Sequence, residues 1–128
     1  MHRGFIKTAA ITGALTVALG AFAAHGLKNI LPADLLAVFE TAVKYQFYHV
    51  LALLATGILY ASQSPAKLKW SGYLFITGMV LFCGSLYLLC YVKYNQINME
   101  WIGAVTPFGG AAFIGGWIML ATAYWKRN

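Results

Sequence analysis

Apolar residues run almost unbroken through four stretches, Ala9 to Leu27, Tyr45 to Ala61, Trp70 to Val92 and Trp101 to Trp125, with polar and charged residues gathered between them. A helix needs about 20 apolar residues to cross a hydrocarbon core of roughly 30 Å. Inside that core only helices and closed barrels satisfy their own backbone. The pattern predicts an all-α, polytopic membrane protein: four transmembrane helices in a compact bundle, forming a single domain over residues 1–128.

Finer patterning adds detail to each span. In the first, Ala9, Gly13, Val17, Gly20 and Ala24 recur at three- and four-residue steps, which predicts a small-residue face for close helix packing. Pro32 suits the first turn of a helix, with Asp34 near its positive end. From about residue 33 the pattern stays helical to Ala61, roughly 43 Å at 1.5 Å per residue, so the outer part of this helix lies beyond the hydrocarbon. Glu40 and Lys44 belong to that wet section. At 100° per residue, Phe39, Ala42, Gln46, His49, Leu53 and Thr56 share one side of the second helix. Lipid offers Gln46 and His49 no partner, so that side should face the interior. In the fourth span Thr106-Pro107-Phe108-Gly109-Gly110 predicts a kink or a short unwound stretch, and Ala111, Ala112, Gly115 and Gly116 restore a small-residue face.

Charge changes the picture by giving it an orientation. Nine Lys and Arg stand against three acids, for a formal charge of +6. If the spans alternate, Arg3, Lys7, Lys67, Lys69, Lys126 and Arg127 face one side, and Lys28, Lys44 and Lys93 face the other with Asp34, Glu40 and Glu100. Short loops rich in Lys and Arg stay inside, so both termini should be cytoplasmic. The basic residues form no stripe, which points to lipid headgroups and away from nucleic acid as their partner. Arg3, Lys7, the apolar run from Ala9 to Leu19, and Ala21-Phe22-Ala23 also resemble a cleavable secretory signal. The apolar run continues past that cut, which favours a retained first span.

Candidate chemistry is sparse. His25 ends the first span, and both His25 and His49 fall within about two turns of the outer interface by this reading. Ser85 and Tyr87 add hydroxyls to the outer half of the third span, and Thr106 adds one to the fourth. Together His25, Gln46, His49, Ser85, Tyr87 and Thr106 form a candidate outer-half polar cluster, for structure or for a ligand. Cys83 and Cys90 lie about 10.5 Å apart along one helix axis, too far for a disulfide. His25, His49 and Cys90 are weak candidates for a soft metal, because no Cys-x-x-Cys or His-x-x-His spacing supports them. No nucleophile has a base and an orienting partner in view, so no catalytic residue is assigned.

Five segments in order resemble the small membrane family called domain of unknown function 423. They are Gly20-Ala21-Phe22-Ala23-Ala24-His25-Gly26-Leu27, Phe39-Glu40-Thr41-Ala42-Val43-Lys44-Tyr45-Gln46-Phe47-Tyr48-His49, Gly84-Ser85-Leu86-Tyr87, Thr106-Pro107-Phe108-Gly109-Gly110 and Gly116-Trp117. The resemblance implies a four-span protein of the bacterial inner membrane, with relatives in eukaryotes, and carries no activity to particular residues. Ala23 stands where the family usually has Gly, and Cys83 where Ser is expected. The second departure speaks against Cys83 as an essential ligand.

Three readings follow. The first is a non-enzymatic structural or accessory component of a bacterial inner membrane, whose polar cluster holds the bundle while its outer faces meet lipid, further copies or a larger complex. The second is a site for a small apolar ligand, lipid or quinone, oriented by His49 and Gln46. The third is a metal or haem redox protein using His25, His49 and Cys90.

Overall fold

The computed structural model describes residues 1–61 and 64–125. It contains four spans long and apolar enough to cross a membrane. The first is helix α1 (Arg3–His25) and the second α2 (Ala33–Leu59). The third runs from Pro65 to Tyr94 as α3 (Pro65–Gly78), a π-helical turn (Met79–Cys83) and α4 (Gly84–Tyr94). The fourth is a 3₁₀ turn (Glu100–Ala104) followed by α5 (Thr106–Ala123).

Local chemistry explains where these differ from the apolar stretches. Helix α1 starts at Arg3, well before Ala9, because His2 caps it: the Phe5 N–H donates to His2 Nδ1 at 3.1 Å. Arg3 and Lys7 stay exposed on that first turn while Phe5 is buried. Helix α2 ends at Leu59, short of Ala61, and Trp125 lies past the end of α5. Pro107 stands in the first turn of α5, where a missing N–H removes no helical bond. This corrects the kink expected at residues 106–110: that stretch is the regular start of α5, and the break lies before it, in the 3₁₀ turn Glu100–Ala104. The π turn in the third span lies within an unbroken apolar run that gives no sign of it.

Helix α2 is the centre of the bundle. It packs against α1, α3, α4 and the π turn, and the predicted stripe Phe39, Ala42, Gln46, His49, Leu53 and Thr56 is buried throughout. Helix α1 rests chiefly on α2 and buries Phe5, Ala9, Thr16 and Ala23. This corrects the small-residue face, since Val17 and Ala24 are exposed. Gly13 and Gly20 sit at the edge of the contact, against Val50 and Val43. Thr16 sets the rotation, because a hydroxyl in hydrocarbon gains more by turning inward than a Val does.

Helices α3 and α5 interlock by exchanging rings. Phe75 fills the notch at Gly116, where a Cβ would lie 2.7 Å from the ring, and Phe113 fills the one at Gly78, at 2.3 Å. Gly109 is tighter still, since a Cβ there would stand 2.2 Å from the backbone nitrogen of Phe82, inside the π turn. Of the other small residues predicted on α5, Ala111 is exposed, while Gly115 lies near Leu74. Small residues permit this approach, and packing is what associates helices where lipid tails are as apolar as the side chains.

Two contacts set the ends of the bundle. The His2 N–H donates to the Gly57 carbonyl at 2.8 Å, and Lys67 Nζ donates to the Thr122 carbonyl at 3.0 Å. The start of α1, the connection between α2 and α3, and the end of α5 therefore share one face. At the opposite face α4 closes with paired bonds from Gln96 N to Lys93 O (3.2 Å) and Ile97 N to Val92 O (2.8 Å), and Gln96 takes φ 56°. This cap conformation normally belongs to Gly.

Gly109→Ala should destabilise the bundle by roughly 1–3 kcal/mol, the usual range for overpacking, read as a lowered midpoint of thermal unfolding in detergent. Gly103→Ala, where a Cβ meets nothing within 4 Å, should leave that midpoint unchanged or raise it. Gln96→Gly should raise it, by up to about 1 kcal/mol.

Candidate functional site

The buried polar residues do not form one cluster. Most fall into three separate hydrogen-bonded sets, each tying one span to another, while Thr56 bonds within its own helix, to the Ala52 carbonyl.

The central set joins the first three spans. Tyr87 on α4 donates its hydroxyl to Gln46 Oε1 at 2.7 Å. Gln46 on α2 donates from Nε2 to Thr16 Oγ1 at 2.8 Å, and Thr16 on α1 donates to the Thr12 carbonyl at 2.6 Å. The order of donors fixes the orientation of the amide, because the phenol reaches its oxygen and the threonine its nitrogen. Phe39 packs against the Tyr87 ring, with centroids 5.0 Å apart.

The second set joins α2 to α5. Trp117 Nε1 lies 3.1 Å from His49 Nε2, and His49 Nδ1 lies 2.6 Å from the Tyr45 carbonyl. An indole N–H can only donate, so His49 Nε2 accepts and Nδ1 carries the proton. The imidazole is held as the neutral Nδ1–H tautomer, with both nitrogens occupied. Its face stacks on Phe113, with centroids 3.5 Å apart and planes 11° apart.

The third set joins the outer ends of the third and fourth spans. Ser85 on α4 donates to the Phe82 carbonyl at 2.9 Å, a bond turned back onto the π turn. Its one proton is thereby used, so Thr106 at the head of α5 donates to Ser85 Oγ, 2.6 Å away. A fourth tie, from Ser71 Oγ to the Gly116 carbonyl at 2.8 Å, fastens α3 to α5.

His25 joins none of these. Its side chain is exposed at the end of α1, which corrects its place in the predicted cluster. The remaining residues are divided by their partners. His49 stands 16 residues after Ala33, about 24 Å along α2, and its partner Trp117 lies in the C-terminal half of α5. The metal candidates are likewise kept apart or occupied. Cys90 donates its thiol to the Leu35 carbonyl at 3.3 Å, and both His49 nitrogens are bonded. Among the described residues no group of three His, Cys, Asp or Glu side chains is arranged to hold a metal.

Sequence reasoning missed Thr16, Ser71 and Trp117. Thr16 carried a signal, since Ala9, Thr16 and Ala23 recur every seven residues. Trp117 stands out in the sequence only as part of the segment Gly116-Trp117. Nothing in spacing alone pairs it with a histidine 68 positions away.

Two concavities flank Tyr87. One, of about 190 Å³, lies at the outer end and is walled by Phe22, Leu27, Leu31, Phe39, Tyr91 and other apolar or aromatic groups. The other, of about 280 Å³, lies deeper between α1 and the third span and is lined by Thr8, Thr12, Gln46, Met79, Gly84 and their neighbours.

Fold and interior together define a four-span α-helical membrane protein whose helices are tied by side-chain hydrogen bonds. The chain belongs to the family described as Protein of unknown function (DUF423), whose profile matches residues 19–110. It is 46% identical to the UPF0382 membrane protein of Staphylococcus saprophyticus over 95% of this chain and 97% of that one. It is 43% identical to the UPF0382 membrane protein YwdK of Bacillus subtilis (93% and 94% covered), and 41% identical to that of Haemophilus influenzae (100% and 98%). No solved structure matches the chain significantly.

A double-mutant cycle between Gln46→Leu and Tyr87→Phe, measured by unfolding in detergent, should give a coupling of roughly 0.6–1.7 kcal/mol, the span found for interhelical bonds in membranes. Each single change should destabilise the bundle.

Proposed function

We propose that this protein is a non-catalytic component of the bacterial cytoplasmic (inner) membrane, a lipid-engaging scaffold whose buried polar groups hold helix to helix. The observation that carries this reading is the use made of the interior Ser85, Thr106, Cys90 and His49 side chains. Ser85 and Thr106 bond to each other, Cys90 bonds to a backbone carbonyl, and the two nitrogens of His49 are both committed. Among the described residues, no buried side-chain nitrogen or oxygen lacks a hydrogen-bond partner. A nucleophile needs a base and an orienting group beside it. Here the Ser85 and Thr106 hydroxyls, the Cys90 thiol and the His49 imidazole are spent on cohesion.

The outer surface supports the lipid half of the reading. Trp70, Trp101, Tyr73, Tyr91 and Trp125 are exposed near the span ends, where amphipathic rings favour the headgroup level. The excess of Lys and Arg on the face shared by the start of α1, the α2–α3 connection and the end of α5 favours that face as cytoplasmic. Association with further copies or a larger complex fits the same exposed surface.

Gentle extraction followed by native mass spectrometry, metal analysis and an absorption spectrum tests the proposal. The expected result is the chain with bound lipid, without stoichiometric metal and without a haem band. A stoichiometric metal or a haem band would overturn it. Orientation is tested in a background with Cys83 and Cys90 replaced by Ala: Asn98→Cys should react with a membrane-impermeant thiol reagent in intact spheroplasts, and Ser64→Cys only after permeabilisation. The reverse pattern would invert the topology.

A further inference from the structure

The groove between α1 and the third span differs from an ordinary lipid-facing seam in what lines it. Helix α1 is pinned to the third span near its inner end, where Phe5 packs into the notch at Gly72 and against Tyr73 with centroids 5.3 Å apart. Farther out α1 leans on α2 instead. The opening left between α1 and the third span measures about 280 Å³. Thr12 is nine residues into the 23 of α1, so the opening lies near mid-membrane depth.

Its mostly apolar walls carry a few hydrogen-bond donors, on Thr8, Thr12 and Gln46. The Gln46 amide has two N–H groups, and the structure uses one of them, toward Thr16. The hydroxyls of Thr8 and Thr12 line the same groove and make no hydrogen bond to the described residues, although the Thr12 carbonyl accepts from Thr16. Ile76, Met79, Val80 and Gly84 complete an apolar wall. Acyl chains offer these donors nothing, and polar groups left unmatched in hydrocarbon are costly. A surplus of donors selects a ligand with acceptors. A cavity of about 150 Å³ suffices for benzene, so there is room here for a substituted ring.

We propose that this groove binds a membrane-soluble ring compound bearing carbonyl oxygens, of the quinone class, with its carbonyls facing Gln46, Thr12 and Thr8 and its tail leaving between α1 and the third span. The proposal rests on the lipid-engaging reading and names one ligand class for it. It concerns binding alone, with no electron transfer. The outer crevice is a poorer candidate because its walls are almost entirely carbon.

Isotope-labelled protein in lipid nanodiscs, titrated with ubiquinone-1 and followed through the backbone amide signals of Thr8, Thr12, Gln46 and Gly84, tests this directly. The control titrant is a prenylbenzene of similar size without carbonyls. Ubiquinone-1 should shift those four signals saturably, and prenylbenzene should bind at least about tenfold more weakly, the worth of a lost hydrogen bond. Gly84→Leu should weaken binding by a similar factor by filling the groove, and a Cβ at Gly84 meets nothing within 4 Å, so the fold should persist. Thr12→Val, nearly isosteric, should weaken it as well. Equal binding of prenylbenzene, wild-type affinity in Gly84→Leu, or no saturable shift at these residues would overturn the proposal. A stoichiometric metal or haem would strike the scaffold reading instead, and the two failures are told apart by which measurement gives them.

Discussion

Hydrocarbon cannot hydrogen-bond, and that single constraint arranges this protein. A Gln, His or Ser placed in the bilayer must find its partner in another part of the chain. Gln46 finds Thr16 and Tyr87, His49 finds Trp117 and a carbonyl of its own helix, and Ser85 finds Thr106. Each of these choices joins two spans. The sets therefore do for the bundle what exclusion of water does for a soluble core, and they specify which helices are neighbours.

Packing answers the same constraint from the apolar side. Because lipid tails compete equally for a Leu, helices gain by approaching more closely than lipid can. The reciprocal seating of Phe75 on Gly116 and Phe113 on Gly78, and the backbone contact of Gly109 with Phe82, achieve this between the third and fourth spans. The π turn belongs to the same arrangement. It displaces the backbone where Gly109 approaches and presents the Phe82 carbonyl to Ser85. Cohesion by notches and cohesion by hydrogen bonds thus meet in one short stretch.

Much of this was legible in the residue pattern, for a physical reason. On α2 apolar, small and polar residues all prefer the interior over lipid or water, so the stripe from Phe39 to Thr56 could be read from spacing alone. On α1 the two cues disagreed, and small size suggested a face that Thr16 overruled. His25 shows the opposite error: at a helix end water is available, so a polar side chain there has no need to turn inward. The start of α2 at Ala33 was legible from Pro32, but the expected single cluster is three separate sets because spacing along one helix does not say which residue of another span each polar group meets. A π turn leaves no mark in hydropathy at all. The pairing of Trp117 with His49 required the fold.

The family relation supplies a membrane and a shared architecture, and the interior supplies the reason for the architecture. What carries the account is that interior polar groups are fixed to protein partners. The most direct test is the ¹⁵N NMR signature of the His49 ring in lipid bilayers. The account predicts a neutral imidazole with a protonated Nδ1 and an unprotonated Nε2 accepting from Trp117. An imidazolium, an Nε2–H ring, or a pair of tautomers in exchange would contradict it.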